Sequence, residues 1–386
     1  MKHTPDPAQG ELFVCDIANW PVKDDIASME VPIFSLAKQK DTKTREYRRG
    51  AKVVRVIPSS VGAATVFDKD LLLYIASQIV EARNQERAVS RTVQIESIDF
   101  LVGTERGDGR ASFERIVDML RRLRGTTIET NIETGGVRQT EGFSLIDTYK
   151  ILSEHKRVEA GYDAETKKTV RREVSRVLRF SVTISEWLYS GLMNYEVLTL
   201  DRGYFRLSKS IERRLYEIAR KHCGDQPLWK VNIDLLGAKI GTTQKRFQLR
   251  DELRQAIAAD RLPEYHIALD PNKSPDDVVF YTRNPAKLSR ELIRLGSFEW
   301  FQSLERYDRT TRKGAAKPAI ADVFTGYRRC GQQASIPINP LLTRVSGERH
   351  EKRRISLLGF GEAHYRLSPM FFTGYRRCLN ELSTAS

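Results

Sequence analysis

The chain is 386 residues long and carries 64 Lys and Arg against 50 Asp and Glu, a formal net charge of +14, with 30% of its residues charged. A basic excess of this size points to a polyanionic partner, and no apolar run approaches the roughly 18 residues that would span a bilayer, so nucleic acid is expected and membrane is not. The opening MKHTPDPAQGEL has no apolar signal core, which predicts a cytoplasmic protein, and the length suggests about two or three domains.

The four cysteines, Cys15, Cys223, Cys330 and Cys378, are scattered, with neither a C-x-x-C pair nor a His at ligand spacing, so reduced thiols and no metal site are expected. Residues 1–50 read as an N-terminal arm. Met29, Val31, Pro32, Ile33, Phe34 and Leu36 form one apolar patch that docks briefly before the chain becomes a basic, solvated linker. Asp24 and Asp25 lack further carboxylates or His to complete a metal shell and read as surface or capping residues.

Residues 52–66 are β-branched and broken by Pro58 and Gly62, which predicts strand, turn, strand. A helix follows from Asp68, an N-cap type, with Leu71, Leu72, Ile75, Ile79 and Val80 on one face. A β run at 92–95 and a short helix at 97–102 lead through the loop GTERGDG into RASFERIVDMLRRLRG. That last helix has a seam of Phe113, Ile116, Val117, Leu120 and Leu123 and an outward face with Arg110, Ser112, Arg115 and Arg122. The glycines of the loop complete neither a Rossmann nor a G-K-[ST] pattern, so no nucleotide cofactor is expected. Residues 127–152 read as a hairpin serving as a wing. Residues 156–172 read as a loop tip made positive by Lys167, Lys168, Arg171 and Arg172, and 173–183 as a returning strand followed by a capped helix at 185–194.

The same order then recurs. Residues 204–207 are short and β-like, 208–222 form a helix, and 229–240 offer a β run and a short helix ended by Gly241. From 241 to 260, GTTQKRFQLRDELRQAIAAD places Leu249, Leu253, Ala256 and Ile257 on one side of a helix. Thr242, Thr243, Gln244, Lys245, Arg246, Gln248 and Arg250 come before any acid in that helix, so its start is positive and rich in donors, which suits phosphate or base edges. Two β runs at 263–269 and 277–282 complete a helix-turn-helix followed by a wing. Pro285 then starts a further helix, after which the chain turns Arg-rich, and FTGYRRC appears twice, at 324–330 and 372–378.

The expected fold class is therefore α+β: two tandem winged-helix domains, 51–200 and 201–296, between a partly disordered N-terminal arm over 1–50 and a C-terminal helix and flexible basic tail over 297–386. Catalysis is not expected. The six histidines are isolated from one another, no Walker A sequence is present, and strand nicking by Tyr189, Tyr195 or Tyr204 is the weakest of the readings.

The segments KDDIASMEVPIFSL (23–36), IPSSVGAATVFDKDLLLYIASQI (57–79) and TTQKRFQLRDEL (242–253) resemble the plasmid replication initiator protein A family, a likeness running over about 23–296. The resemblance implies a bacterial two-winged-helix initiator that binds repeated sites in a plasmid origin and helps open the duplex. Its implied partners are double-stranded DNA, the host initiator ATPase and the replicative helicase, and by analogy with similar initiators a homodimer that represses its own gene. The rival is a transcriptional repressor of the same fold. On either reading, Thr242, Thr243, Gln244, Lys245, Arg246 and Gln248 enter a major groove while Arg250 and Arg254 meet phosphate. Arg110, Ser112, Arg115 and Arg122 act equivalently in the first unit.

Overall fold

The computed structural model describes residues 12–304, apart from 38, 50–51, 108, 135–136, 164–167, 225, 271–275 and 298. The chain divides into two compact units, Met1–Pro318 and Ala319–Ser386, and all the described residues belong to the first. Both copies of FTGYRRC, the expected tail beyond 304, and Lys167 lie outside the described residues.

The chain begins with β1 (Phe13–Val14), β2 (Val22–Asp25) and α1 (Ile26–Glu30), then β3 (Arg45–Arg49) and β4 (Lys52–Ile57). Next come α2 (Lys69–Asn84), β5 (Thr92–Glu96), α3 (Ser97–Gly103) and α4 (Arg110–Gly125). Strands β6 (Thr127–Thr134), β7 (Val137–Ser144), β8 (Ile146–Asp163) and β9 (Lys168–Ile184) precede α5 (Glu186–Met193) and β10 (Val197–Leu200). A 3-10 turn at Arg202–Arg206 opens the second half, with α6 (Ser210–Cys223), β11 (Leu228–Asn232), α7 (Ile233–Ile240), α8 (Arg246–Ala259), β12 (Tyr265–Asp270), β13 (Asp277–Thr282) and α9 (Pro285–Arg294). The result is a mixed α+β architecture.

Helix, strand, short helix, longer helix and hairpin occur twice, as α2, β5, α3, α4, β8–β9 and as α6, β11, α7, α8, β12–β13. In each copy the returning hairpin strand lies in the middle, giving the sheet orders β5-β9-β8 and β11-β13-β12. The first hairpin differs from the sequence expectation. Residues 127–144 do form a hairpin, β6–β7, but it joins β4 and β3 in a separate sheet. The hairpin beside β5 is β8–β9, and its strands reach far into the segment expected to be a loop tip, β8 as far as Asp163 and β9 from Lys168. Strand pairing explains the miss: the register sets Glu159 opposite Arg171 and Asp163 opposite Lys168, so a run that looks merely charged alternates in sign across the ladder. Residues 58–66 do not return as a named strand, and the expected β run at 204–207 is largely a 3-10 turn.

The larger departure concerns the N-terminal arm. Phe13, Cys15, Trp20, Val22, Met29, Ile33 and Phe34 are all buried, β1 pairs with β5, β2 pairs with β10, and β3 pairs with β4. Helix α2 shows why. Residues 69–80 are buried on every side, including the polar Lys69, Asp70, Ser77 and Gln78. A buried polar group must find partners, and the arm supplies them. The Gln78 side chain accepts from Ile17 N–H at 3.0 Å and donates to Ile17 C=O at 2.9 Å, and Ser77 Oγ accepts from Lys23 N–H at 2.7 Å. The arm thus covers the face of α2 that would otherwise be solvent-exposed.

Asp24, from the same arm, meets charge from both repeats. Lys69 Nζ on α2 donates to Asp24 at 2.7 Å and lies 3.2 Å from Glu217 on α6, and Glu217 also takes Arg214 at 3.0 Å and the Tyr204 hydroxyl at 2.7 Å. One residue along α2, Asp70 pairs with Arg213 of α6 and with Arg106 at 2.8 Å. Lys69, Asp24 and Glu217 are each only 1% exposed. The two repeats consequently share one continuous hydrophobic core. Burial, with the charges of Glu217 and Asp25, lifts the Asp24 carboxyl to about 8 against the pull of Lys69, whereas Lys69 and Arg214 outweigh burial at Glu217 and hold it below its usual range.

Lys69→Met removes the buried cation that Asp24 and Glu217 share, and a loss of about 3–5 kcal/mol is expected by urea denaturation. Asp24 binds its proton more tightly folded than unfolded, so its contribution to stability declines as pH rises from about 4 to about 8. Asp24→Asn, which mimics the neutral acid, is expected to fold and to flatten that decline when melts are compared between pH 5 and pH 8.

Candidate nucleic-acid interface

Asn232 caps α7, its side chain accepting from Asp234 N–H at 2.9 Å, and the helix ends at Gly241 in the left-handed conformation, φ +81° and ψ +26°. Glycine is required there twice over, since a Cβ would also stand 2.5 Å from Pro32 Cβ and 3.0 Å from the Tyr47 hydroxyl oxygen. At Gly237 a Cβ would press on Leu249 at 3.1 Å, so the missing side chain lets α7 and α8 approach closely. The N-terminal segment therefore braces the turn from behind. Glu30 adds a clamp, binding Lys221 of α6 at 2.7 Å and Lys239 of α7 at 3.0 Å. Burial opposes ionisation of Glu30, but the two lysines win and bring its carboxyl down to about 2.

The expected recognition helix begins later than its sequence suggests. Thr242, Thr243, Gln244 and Lys245 belong to the connecting turn, because Thr242 Oγ1 accepts from Gln244 N–H at 3.2 Å and Gln248 Oε1 accepts from Lys245 N–H at 3.1 Å. Helix α8 starts at Arg246, with Leu249, Leu253, Ala256 and Ile257 buried as the seam requires. Residues 243–248 are exposed without a break.

Most polar side chains of this surface already have partners. Arg246 donates through Nε and Nη2 to Asp234 of α7 at 2.7 and 2.6 Å, Arg250 pairs with Asp276 at 2.6 Å, Arg254 with Asp251 at 3.3 Å, and the Gln244 amide donates to Glu252 at 2.9 Å. Exposed contacts made through one hydrogen bond, as at Arg254 and Gln244, are weakly held and exchange readily for a phosphate or base. Arg250 differs, its pair being partly buried beside the start of β13. Thr243 and Lys245 stand exposed, and so does Phe247, 58% accessible at the second position of α8 with Leu235 of α7, also exposed, on the neighbouring helix. Neither apolar residue falls on the buried seam, so periodicity passes over them; an aromatic off the seam beside two cations was the available signal.

In the first repeat the loop before α4 is pinned by Arg106 to Asp70 and by Glu105 to Arg206 at 2.7 Å. Arg115 is exposed with no partner among the described residues, and Ser112 is half-buried. Arg122 is a correction. It grips Asp68 through two hydrogen bonds of 2.7 Å, tying α4 to the start of α2, and does not face outward. The reason is Met119, whose burial widens the buried arc of α4 toward Arg122. Arg121 and Arg124 are the exposed cations of the last turns instead. Asp68, expected to cap α2 with its side chain, makes no such bond because Arg122 and Thr65 occupy it. The side chains of Arg110, Lys168, Arg171 and Arg172 lie outside the described residues; the strand register sets the last three at the far end of β9.

Cys15 and Cys223 are buried free thiols, Cys223 pushed up to about 12 by burial. Among the described residues no three His, Cys, Asp or Glu side chains are placed to hold a metal, and no helix is long and apolar enough to cross a membrane.

A family model described as replication initiator protein A matches residues 23–267. A putative replication protein of Wigglesworthia glossinidia brevipalpis is 34% identical over 260 residues, 67% of this chain and 88% of the relative. Two crystal structures of domains 2 and 3 of RctB align with TM-scores of 0.49 and 0.46 at 14% identity, over 67% and 65% of this chain and 96% and 95% of theirs.

Gly241→Ala combines a left-handed backbone with a collision at Pro32, and a loss of about 1–3 kcal/mol in urea denaturation is expected. Phe247→Ser removes an exposed side chain and is expected to change stability by no more than about 0.5 kcal/mol, so any loss of DNA affinity in that variant reports contact rather than unfolding.

Proposed function

Because the chain belongs to the replication initiator protein A family, we propose that it binds repeated sequences in a plasmid origin, promotes opening of the duplex and recruits host replication proteins. On this reading it acts in the bacterial cytoplasm by binding, not by catalysis. Each repeat of helix, strand, two helices and hairpin serves as a winged helix, the first within 51–200 and the second within 201–296.

The observation that carries the reading is the start of α8. Residues 243–248 form an unbroken exposed stretch with two cations and two amides, at a helix N-terminus that adds its own unpaired N–H groups. The turn beneath packs closely on the N-terminal segment, Gly241 against Pro32. Thr243, Arg246 and Gln248 face the bases of a major groove, and Thr242, Gln244, Lys245 and Arg254 adjust or neutralise the adjoining backbone. In the first repeat Arg115, with Arg110 and Ser112, meets the duplex, and the exposed Arg121 and Arg124 meet phosphate while Arg122 stays on Asp68. Lys168, Arg171 and Arg172, at the strand positions where β9 begins, and Lys167 before them in the sequence take phosphate contacts on this reading.

The shared core supports the duplex-opening part of this reading. Two reading heads that cannot swing independently impose their own spacing on the duplex, and DNA that deforms easily, such as an A·T-rich stretch, yields first.

Gel-shift titrations at fixed salt on matched and scrambled origin fragments test the reading. Arg246→Ala is expected to weaken the matched site on the order of tenfold and to relax base preference, while Lys167→Ala weakens both fragments alike and lowers the salt dependence. Thymines next to the bound repeats are expected to become reactive toward a single-strand reagent. Site-preferring binding without that reactivity marks a repressor, nicking of supercoiled plasmid with Mg²⁺ marks an enzyme, and absence of salt-sensitive binding rejects the reading.

A further inference from the structure

Asp234 is a carboxylate, half exposed, on the surface that the preceding reading turns toward a polyanion. In that place it repels phosphate, so its contribution must come from geometry. Two constraints fix it. The Asp234 N–H is held by the Asn232 cap at 2.9 Å, and its position in the first turn of α7 favours a negative charge. Both carboxylate oxygens are then used on Arg246, twelve residues away on α8, one accepting from Nε at 2.7 Å and the other from Nη2 at 2.6 Å.

A guanidinium has five N–H donors in one plane. Asp234 occupies the Nε and one Nη2 hydrogen, on one edge. Both Nη1 hydrogens and the second Nη2 hydrogen remain, and no partner takes them among the described residues. The Nη1–Nη2 edge is itself a fork, with the spacing that matches N7 and O6 of guanine in the major groove. Arg246 is 52% exposed, so this edge is accessible while the Nε edge is held.

We propose that Asp234 is a positioning residue for sequence reading: it holds the Arg246 guanidinium by its inner edge and presents the outer edge to one guanine of the recognised repeat. The proposal rests on the DNA-binding role of α8. It assigns the Asp234–Arg246 pair a function in the bound state as well as the free one, so Arg246 does not release Asp234 when it meets a base. The side-chain entropy of Arg246 is then lost on folding rather than on binding, which sharpens discrimination. With its charge offset by Asp234, Arg246 supplies direction more than attraction, and Lys245 beside it supplies the phosphate charge.

The test uses the full chain and origin duplexes in which each guanine of the bound repeat is replaced in turn by 7-deazaguanine, which lacks the N7 acceptor, with affinity read by fluorescence anisotropy at fixed salt. For the unaltered protein, one position is expected to weaken binding by about tenfold or more. Asp234→Asn is expected to reduce that penalty to about twofold, and Arg246→Ala to abolish it. Arg246→Lys, which keeps the charge but not the fork, is expected to behave like the alanine variant at that guanine. Asp234→Asn in an Arg246→Ala background is expected to change nothing further at that guanine.

Thermal melts of each variant separate folding from reading. An Asp234→Asn protein that keeps the full 7-deazaguanine penalty overturns the proposal, whatever its stability, and leaves Asp234 as a clamp between two helices. An unaltered protein that binds the repeat but is indifferent to 7-deazaguanine at every position overturns it as well. An unaltered protein that binds no origin duplex overturns the DNA-binding reading itself, and the proposal with it.

Discussion

The structure depends on a set of charges that water does not reach. Lys69 and Asp70 leave neighbouring positions of α2 and are met by Glu217 and Arg213 of α6, with Asp24 of the N-terminal segment closing the group. A buried ion pair is weak grounds for stability, since desolvation offsets most of its attraction, but it punishes misalignment severely. An apolar contact between two repeats is aligned by shape alone. Here pairing aligns them as well, because each of Asp24, Asp70 and Glu217 has a cation at hydrogen-bond distance. The two repeats are therefore placed relative to each other by electrostatics and held together by the hydrophobic core around it.

That constraint gives the N-terminal segment its importance. It supplies Asp24 to the charge group, satisfies Ser77 and Gln78 on α2, and places Pro32 against Gly241 and Glu30 against Lys239. One short stretch thus connects the helix at the centre of the molecule to the turn that presents α8. Mechanically, the proposed reading surface of the second repeat is tied to the first repeat through residues that precede both. On the initiator reading, such a tie lets strain at one DNA contact be felt at the other.

The candidate interface follows a related economy of contacts. Its cations are not loose: Arg246, Arg250 and Arg254 each hold a carboxylate. Held arginines present defined edges, whereas free lysines such as Lys245 present charge alone. A surface combining the two is suited to telling sites apart as well as to adhering to any duplex. The first repeat is less committed, with Glu114 and Asp118 exposed on α4 and Arg122 withdrawn to Asp68.

By itself the sequence determined the order of the elements and their repetition, the basic character, the seam of α8 and the family. Those features are local: apolar period, turn glycines and composition act within a few residues of themselves. The partners across the fold were decided only by the tertiary structure. Asp24 looks like a surface or capping residue until Lys69 of α2 stands opposite it. Residues 156–163 look like part of a loop until β9 returns alongside, with Arg171 opposite Glu159 and Lys168 opposite Asp163 in the register. Arg122 looks outward until Asp68 arrives from fifty-four residues away. In each case the deciding term is the desolvation of a polar or charged group, whose sign depends on what stands opposite, and no reading along the chain contains that neighbour.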